Sequence, residues 1–207
     1  MQTIQRMLNF EIGRDAEDPQ GNKRIYGRPI VYGQVSDIGD FFEVIDEGAL
    51  SDTDMKDVAL LVNHNDKMLP LARSRNNNGN STMTLRPDDE GLTFEALIDV
   101  QRNNDAKALD SAIERGDISG MSFKASVEWI WEGLGKGKPT RHITKLGRLF
   151  EISAVTNPAY METSIAQRSA DQEALESALE SLESEKARLK AFEDKKEALL
   201  SRIKENL

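Results

Sequence analysis

The sequence contains no cysteine among its 207 residues. A disulfide framework, a thiol nucleophile and a thiolate site for zinc or iron–sulfur are therefore excluded. No apolar run approaches the roughly 18 residues that a transmembrane helix needs. The formal net charge of −9 argues against a general binder of nucleic acid or anionic membranes, because such proteins present a basic face. The N-terminal segment lacks the apolar core of a secretion signal, so we expect the protein to be made and used inside a cell.

Glycine and proline are absent from the last part of the chain. All 14 glycines and all 6 prolines lie at or before Pro158. The remainder is rich in Ala, Glu, Lys and Leu, which favour one long helix. Its apolar residues recur at steps of 3, 4 and 7, but Lys186 and Lys196 interrupt the seam. The helix could pack on its own chain or a partner as a solvated amphipathic helix, or it could form a coiled-coil dimer. We expect 1–168 to be a β-rich domain and 169–207 a helical, coiled-coil-like tail.

The first 158 residues have the pattern of a strand-rich α+β domain. One helix is expected over 103–115, opened by Asn103 and closed by Gly116. The glycine-rich stretch 133–141 is expected to be a loop. Short strands at close spacing favour a small barrel or an α+β domain over a doubly wound fold. The expected strands cover 25–36, 41–46, 58–65, 81–87, 91–99, 118–131 and 148–156.

Histidine is the scarce residue that could act as a base near neutral pH. Only His64 and His142 are present. His64 ends an apolar strand, where a substrate could reach it, although a single histidine is more often structural. His142 lies in a polar stretch and has the pattern of an ordinary exposed histidine. Two separated histidines among scattered carboxylates make no recognisable ligand set, so we expect no metal and no cofactor.

Three serines and one carboxylate are candidates for a nucleophilic site. Ser119, Ser122 and Ser126 lie in one strand-like segment, and Gly120 would allow close approach of a substrate backbone. Glu151 lies in an apolar context, LFEISAVT, and needs a partner unless it points outward. With a histidine base, that partner would be the Nδ1 proton of the ring. The residues alone leave open which serine, if any, is activated.

Several segments, in this order, resemble the prohead protease family of tailed bacteriophages. They are GRPIVYGQVS, FFEVIDEGAL, LLVNHN, DDEGLTFEALI, ERGDISGMSFKAS and LFEISAVTNPAYMETSIAQR, within about residues 22–168. This is the capsid-maturation serine protease type that is similar to herpesvirus assemblin. The resemblance implies a small, mostly antiparallel β-barrel wrapped by helices. It also implies that Ser122 is the nucleophile, His64 the general base and Glu151 the residue that orients His64.

The resemblance further implies a location and partners. The enzyme would act inside the prohead, in the host cytoplasm, on the scaffolding part of the major capsid protein precursor, on other scaffold and on itself. A homodimer is an expectation, and neither nucleic acid nor a membrane is an expected partner. The charged tail would be the handle by which the enzyme binds the scaffold or the interior of the capsid.

Two points depart from the family or remain open. The paired arginines that support the oxyanion in the herpesvirus enzymes are replaced here by NPAYMET, leaving backbone N–H groups near Arg148 or Gly120 as candidates. Ser119 is a rival nucleophile. A non-enzymatic internal scaffolding or assembly protein is the alternative function.

Overall fold

The computed structural model describes the backbone of residues 1–8, 12–17, 21–156 and 165–205. Within these ranges the chain is α+β, as the sequence predicts, with eleven strands and two α-helices. The strands are β1 (Gln2–Leu8), β2 (Ile12–Glu17), β3 (Asn22–Val31), β4 (Ser36–Asp37), β5 (Phe42–Ile45), β6 (Ala59–Val62), β7 (Ala72–Arg73), β8 (Met83–Asp88), β9 (Gly91–Asp99), β10 (Gly120–Glu132) and β11 (Thr140–Val155). The helices are α1 (Asn104–Arg115) and α2 (Ile165–Glu205).

The larger sheet is built around the long antiparallel pair β10 and β11. Strand β1 pairs with the free edge of β10, also antiparallel. The other edge of β11 carries β5 at its beginning and β6 near its end, both parallel to it. Strand β4 pairs with β5, and β7 pairs with β6, both antiparallel. This arrangement brings β1, β10, β11 and β6 side by side, where the candidate site residues lie.

The smaller sheet has the strand order β2-β3-β9-β8 and is antiparallel throughout. Its buried face and that of the larger sheet contribute to one apolar core, including Ile25, Phe94, Ile4, Phe123 and Ile152. No strand pairing within the described ranges joins the two sheets. The closed barrel that the resemblance implies therefore stays a prediction.

The sequence locates most elements but misplaces the start of β11. Helix α1 begins after Asn103, whose side chain accepts hydrogen bonds from two backbone N–H groups, and ends at Gly116 in the left-handed conformation. Strand β11 begins at Thr140 rather than near residue 148, because its first half is a polar strand that pairs with β10 and β5. The loop is correspondingly shorter than expected, and its turns use glycines at positive φ, including Gly133 and Gly135.

Helix α2 packs on the rest of the chain through its first half. Asp171 and Leu175 are buried, whereas every described side chain from 183 to 197 is exposed. Phe192 in this exposed part has 68% of its surface accessible. A division of the chain at 168/169 and a coiled-coil dimer both stay predictions. No helix in the described ranges is long and apolar enough to cross a membrane.

Asp171 joins α2 to the larger sheet through a buried ionic cluster, defined here as Arg6, Glu43, Arg141 and Asp171. Arg141 donates to Glu43 at 2.8 Å and to Asp171 at 2.9 Å, and Arg6 donates to both carboxylates. Burial alone would lower the pKa of Arg6, but Glu43 and Asp171 outweigh it and raise that pKa above its ordinary value. Two cations and two carboxylates therefore compensate one another away from water.

Candidate active site

His64 lies in the tight turn after β6, in a backbone conformation that is uncommon for residues other than glycine. Its φ is 56° and that of Asn63 is 49°, both in the left-handed region. Such a conformation costs about 1–3 kcal/mol per residue and persists only when its surroundings hold it. Here the N–H of Asn63 donates to the carbonyl of Ala154 at 2.9 Å, and the N–H of His64 donates to the Ser153 hydroxyl at 3.2 Å. The turn thereby directs the imidazole over β10 and β11.

Ser122 lies on β10, between Met7 of β1 and Ser153 of β11. Its Oγ is 2.6 Å from His64 Nε2, within hydrogen-bond range. The same oxygen also contacts the backbone carbonyl of Arg6. Ser122 has no exposed surface. The hydroxyl is thus paired with an imidazole but covered by neighbouring chain.

Glu151 lies on β11 and is buried, with both carboxylate oxygens engaged. Oε1 is hydrogen-bonded to His64 Nδ1, and Oε2 accepts from the Ser153 hydroxyl at 2.5 Å. The sequence predicts that a carboxylate in this apolar context needs a partner, and the structure supplies two. One of them is His64 Nδ1, the partner that the sequence predicts for a histidine base.

The structure therefore brings His64, Ser122 and Glu151 together, although they come from three separate segments of the chain. A hydroxyl, an imidazole and a carboxylate follow one another at hydrogen-bond range. In this arrangement the carboxylate fixes the proton on Nδ1, which leaves Nε2 free to take a proton from the hydroxyl. Chemically, such a site can generate an alkoxide for nucleophilic attack.

Ser153 is a site residue that the sequence analysis does not identify. Its hydroxyl accepts from the His64 backbone and donates to Glu151, which closes a ring of hydrogen bonds. It has no exposed surface. The available signal is its spacing, because residues two apart on a strand share a face and Ser153 is two residues after Glu151. Serines are common in apolar strands, so this spacing alone does not identify Ser153 as a site residue.

The other sequence candidates have different partners. Ser119 is exposed and precedes β10, and Ser126 accepts a hydrogen bond from the Arg148 N–H at 2.9 Å. His142 is half-buried and bonded to Asp46 and Glu132, at 2.9 and 3.0 Å. In the described part of the chain, none of the three is hydrogen-bonded to His64 or Glu151.

The two backbone segments that the sequence offers as oxyanion donors lie in different hydrogen-bonding environments. The N–H of Arg148 is already used by Ser126, whereas Gly120 opens β10 opposite Val155. The segment NPAYMET, 157–163, lies outside the described residues.

Comparison with protein families gives one clear match. A model described as caudovirus prohead serine protease matches residues 10–178, which include His64, Ser122 and Glu151. No curated protein and no solved structure matches the chain. The match covers most of the sequence, including the segments from GRPIVYGQVS to EISAVTNPA. The chain belongs to the caudovirus prohead serine protease family, whose members act in capsid maturation.

Proposed function

We propose that this chain is the serine endopeptidase of phage capsid maturation, with Ser122 as nucleophile, His64 as general base and Glu151 as the residue that orients His64. The observation that carries the proposal is the continuous hydrogen bonding from Ser122 Oγ through His64 to Glu151. An internal scaffolding protein without enzymatic activity would have no need to bring these three side chains together. The family match supports the same reaction class.

The chemistry follows from the three positions. Ser122 Oγ attacks the carbonyl carbon of the scissile peptide while its proton passes to His64 Nε2. The resulting imidazolium is stabilised by Glu151 and then protonates the leaving amine. This gives an acyl-enzyme on Ser122. Water, deprotonated by His64, attacks the acyl carbon, and the serine is regenerated with its proton.

The Arg6 carbonyl makes the described arrangement a resting form of the enzyme. A serine hydroxyl has one proton, and here two acceptors compete for it, His64 Nε2 and the Arg6 oxygen. Only donation to His64 activates the oxygen. Ser122 also has no exposed surface, so its Oγ must become accessible before a peptide can reach it.

We infer that the substrates are the scaffolding part of the major capsid protein precursor, other internal scaffold and the enzyme itself. The reaction would take place inside the prohead, in the host cytoplasm. The exposed part of α2 offers a charged helix with the apolar side chains Leu189 and Phe192 as a handle for scaffold or capsid interior.

Co-expression with the cognate capsid precursor tests the enzymatic assignment. Ser122→Ala should fold but leave both the precursor and the enzyme unprocessed, as read by gel and intact mass. Ser119→Ala is the matched control and should process both normally. Processing at the wild-type rate by Ser122→Ala would exclude Ser122 as the nucleophile.

A truncation tests the role of the tail. Removing residues 185–207 leaves the buried Asp171 and Leu175 in place while deleting most of the exposed helix. We expect fewer enzyme copies in proheads and unchanged cleavage of a short peptide. Equal incorporation of the truncated and full-length proteins into proheads would contradict the proposed role of the tail in binding scaffold or capsid interior.

A further inference from the structure

A cavity of about 490 Å³ adjoins the candidate active site, and Glu151 lies in the wall of both. Its wall is formed by residues of β1, β6, β7, β10 and β11 and by three residues of the loop after β6. Much of its wall is apolar: Ala59, Leu61, Met68, Pro70 and Phe150. A pocket of this size and position can receive a side chain of a peptide bound at Ser122.

Lys124 supplies a cation to this cavity that the described residues leave without an acidic partner. It lies on β10 two residues after Ser122, is half-buried and has Glu151 as its cross-strand neighbour. Both oxygens of Glu151 are occupied by His64 and Ser153. Within the described part of the chain, no hydrogen bond or ion pair involves the Lys124 ammonium.

The other charged groups of the cavity differ from Lys124 in this respect. Arg73 makes a two-point pair with Asp57, at 2.9 and 2.7 Å. Asp66 is exposed, so water screens its charge. Lys124, a half-buried residue, is therefore the charged group of the cavity with the most to gain from an incoming anion.

We propose that this cavity is a specificity subsite that takes an acidic side chain of the substrate and binds its carboxylate to Lys124; the inference rests on the proposed peptidase function. The methylene groups of a glutamate would pack on the apolar wall. Residues two apart on a strand are about 6.6 Å apart. The acidic residue thus lies within about two positions of the scissile bond.

Paired peptides from the capsid precursor cleavage site test the proposal. Each version carries Glu, Gln or Lys at one of the two positions on either side of the scissile bond, and the Glu and Gln versions have the same shape and differ in charge. At one position we expect kcat/KM of the wild-type enzyme to be about 10-fold higher for Glu than for Gln, because a charge-assisted hydrogen bond is lost with Gln.

Substitutions at Lys124 give the decisive comparison. Lys124→Met should remove the Glu-over-Gln ratio, and Lys124→Glu should reverse the preference toward Lys. Lys136→Met, the same change at an exposed loop lysine, should keep the wild-type ratio. The proposed subsite would be wrong if Lys124→Met kept the Glu-over-Gln ratio of kcat/KM. It would also be wrong if the wild-type enzyme cleaved the Glu, Gln and Lys peptides equally well at all four positions.

Binding to the Ser122→Ala variant separates this inference from the proposed reaction. Fluorescence anisotropy with the same peptides measures affinity without cleavage. Tighter binding of the Glu peptide than of the Gln peptide, abolished by adding Lys124→Met, supports the subsite even if no peptide is cut. Cleavage that depends on Ser122 but shows no such affinity ratio overturns the subsite and leaves the peptidase assignment in place.

Discussion

The hydroxyl of Ser153 donates to Glu151 Oε2 at 2.5 Å, while the other carboxylate oxygen holds the ring of His64. The same hydroxyl accepts from the His64 backbone N–H. Ser153 therefore fixes the carboxylate and the turn that carries the imidazole relative to one another. We expect it to be a positioning residue, since it can act on the Ser122 hydroxyl only through its two partners.

Ser153→Ala should lower kcat by about 10- to 100-fold, because a hydrogen bond to a charged group contributes about 1.5–3 kcal/mol. KM should change little, as Ser153 has no exposed surface with which to bind a peptide. Steady-state kinetics on a peptide substrate measure both constants. Ser153→Thr keeps the hydroxyl and should recover most of kcat; an alanine variant as fast as the wild type would show that Ser153 only fills space.

Glu151→Gln should lower kcat/KM by a factor on the order of 10³ or more, since an amide of the same shape does not stabilise the imidazolium. Peptide cleavage at pH 7 measures the effect. Glu128→Gln, on the exposed part of β10, is the control and should behave as the wild type. If Glu151→Gln retains more than about a tenth of the activity, the carboxylate is not needed to orient His64.

Labelling of Ser122 by a fluorophosphonate should be slow in the isolated protein. The oxygen is covered and contacts the Arg6 carbonyl, so only molecules in which this cover has opened can react. Intact mass spectrometry over time gives the rate.

Two variants show which serine carries the label. Ser122→Ala should abolish the label, and Ser119→Ala should leave it unchanged. Complete labelling within the mixing time would contradict a resting form, and loss of label in Ser119→Ala would make Ser119 the nucleophile.

Asp171→Asn should destabilise the fold by about 3 kcal/mol, because the buried Arg6 and Arg141 would then share the single carboxylate of Glu43. Urea unfolding followed by circular dichroism measures the change. Glu173→Gln removes a charge from an exposed position on the same helix and should have little effect. Equal stability of the two variants would mean that α2 is not attached through the ionic cluster.

The pH dependence of stability should include a contribution from His142. Its hydrogen bond to Asp46 raises the pKa, with Glu132 acting in the same direction and partial burial opposing them. A raised pKa in the folded state means that the stabilisation is complete below about pH 6.5 and is lost as pH rises through the raised value.

Comparison with His142→Gln isolates this contribution. The wild type should exceed the variant in stability at pH 5.5 by up to about 1 kcal/mol, as the site is partly exposed, and by less at pH 8.5. Urea unfolding at the two pH values measures both differences. A larger difference at pH 8.5 would contradict the assigned direction of the pKa.

The sequence predicts those parts of the fold that local chemistry determines. The cap at Asn103, the glycine at 116 and the alternation in β8 and β9 are all local signals, and the structure contains these elements. The start of β11 is not predictable in this way, since Thr140 to Gly147 reads as polar loop. It becomes a strand because β10 and β5 supply partners far away in the sequence.

The candidate site shows the same distinction between what local sequence predicts and what depends on distant segments. Residue type and family motif order select His64, Ser122 and Glu151, and the structure brings them together. Ser153 and the Arg6 carbonyl depend on the register of β11 and β1 against β10, which no single segment encodes. Lys124 likewise has a recognisable role only once Glu151 is known to be fully occupied.

Arg6 links two parts of the molecule that are far apart in the chain. Its guanidinium binds Asp171 of α2, and its own carbonyl oxygen contacts Ser122. Detaching the helix would remove half of the negative charge that anchors this arginine, whose backbone carbonyl oxygen contacts the Ser122 hydroxyl. One residue therefore connects the anchoring of the helix to the immediate surroundings of Ser122.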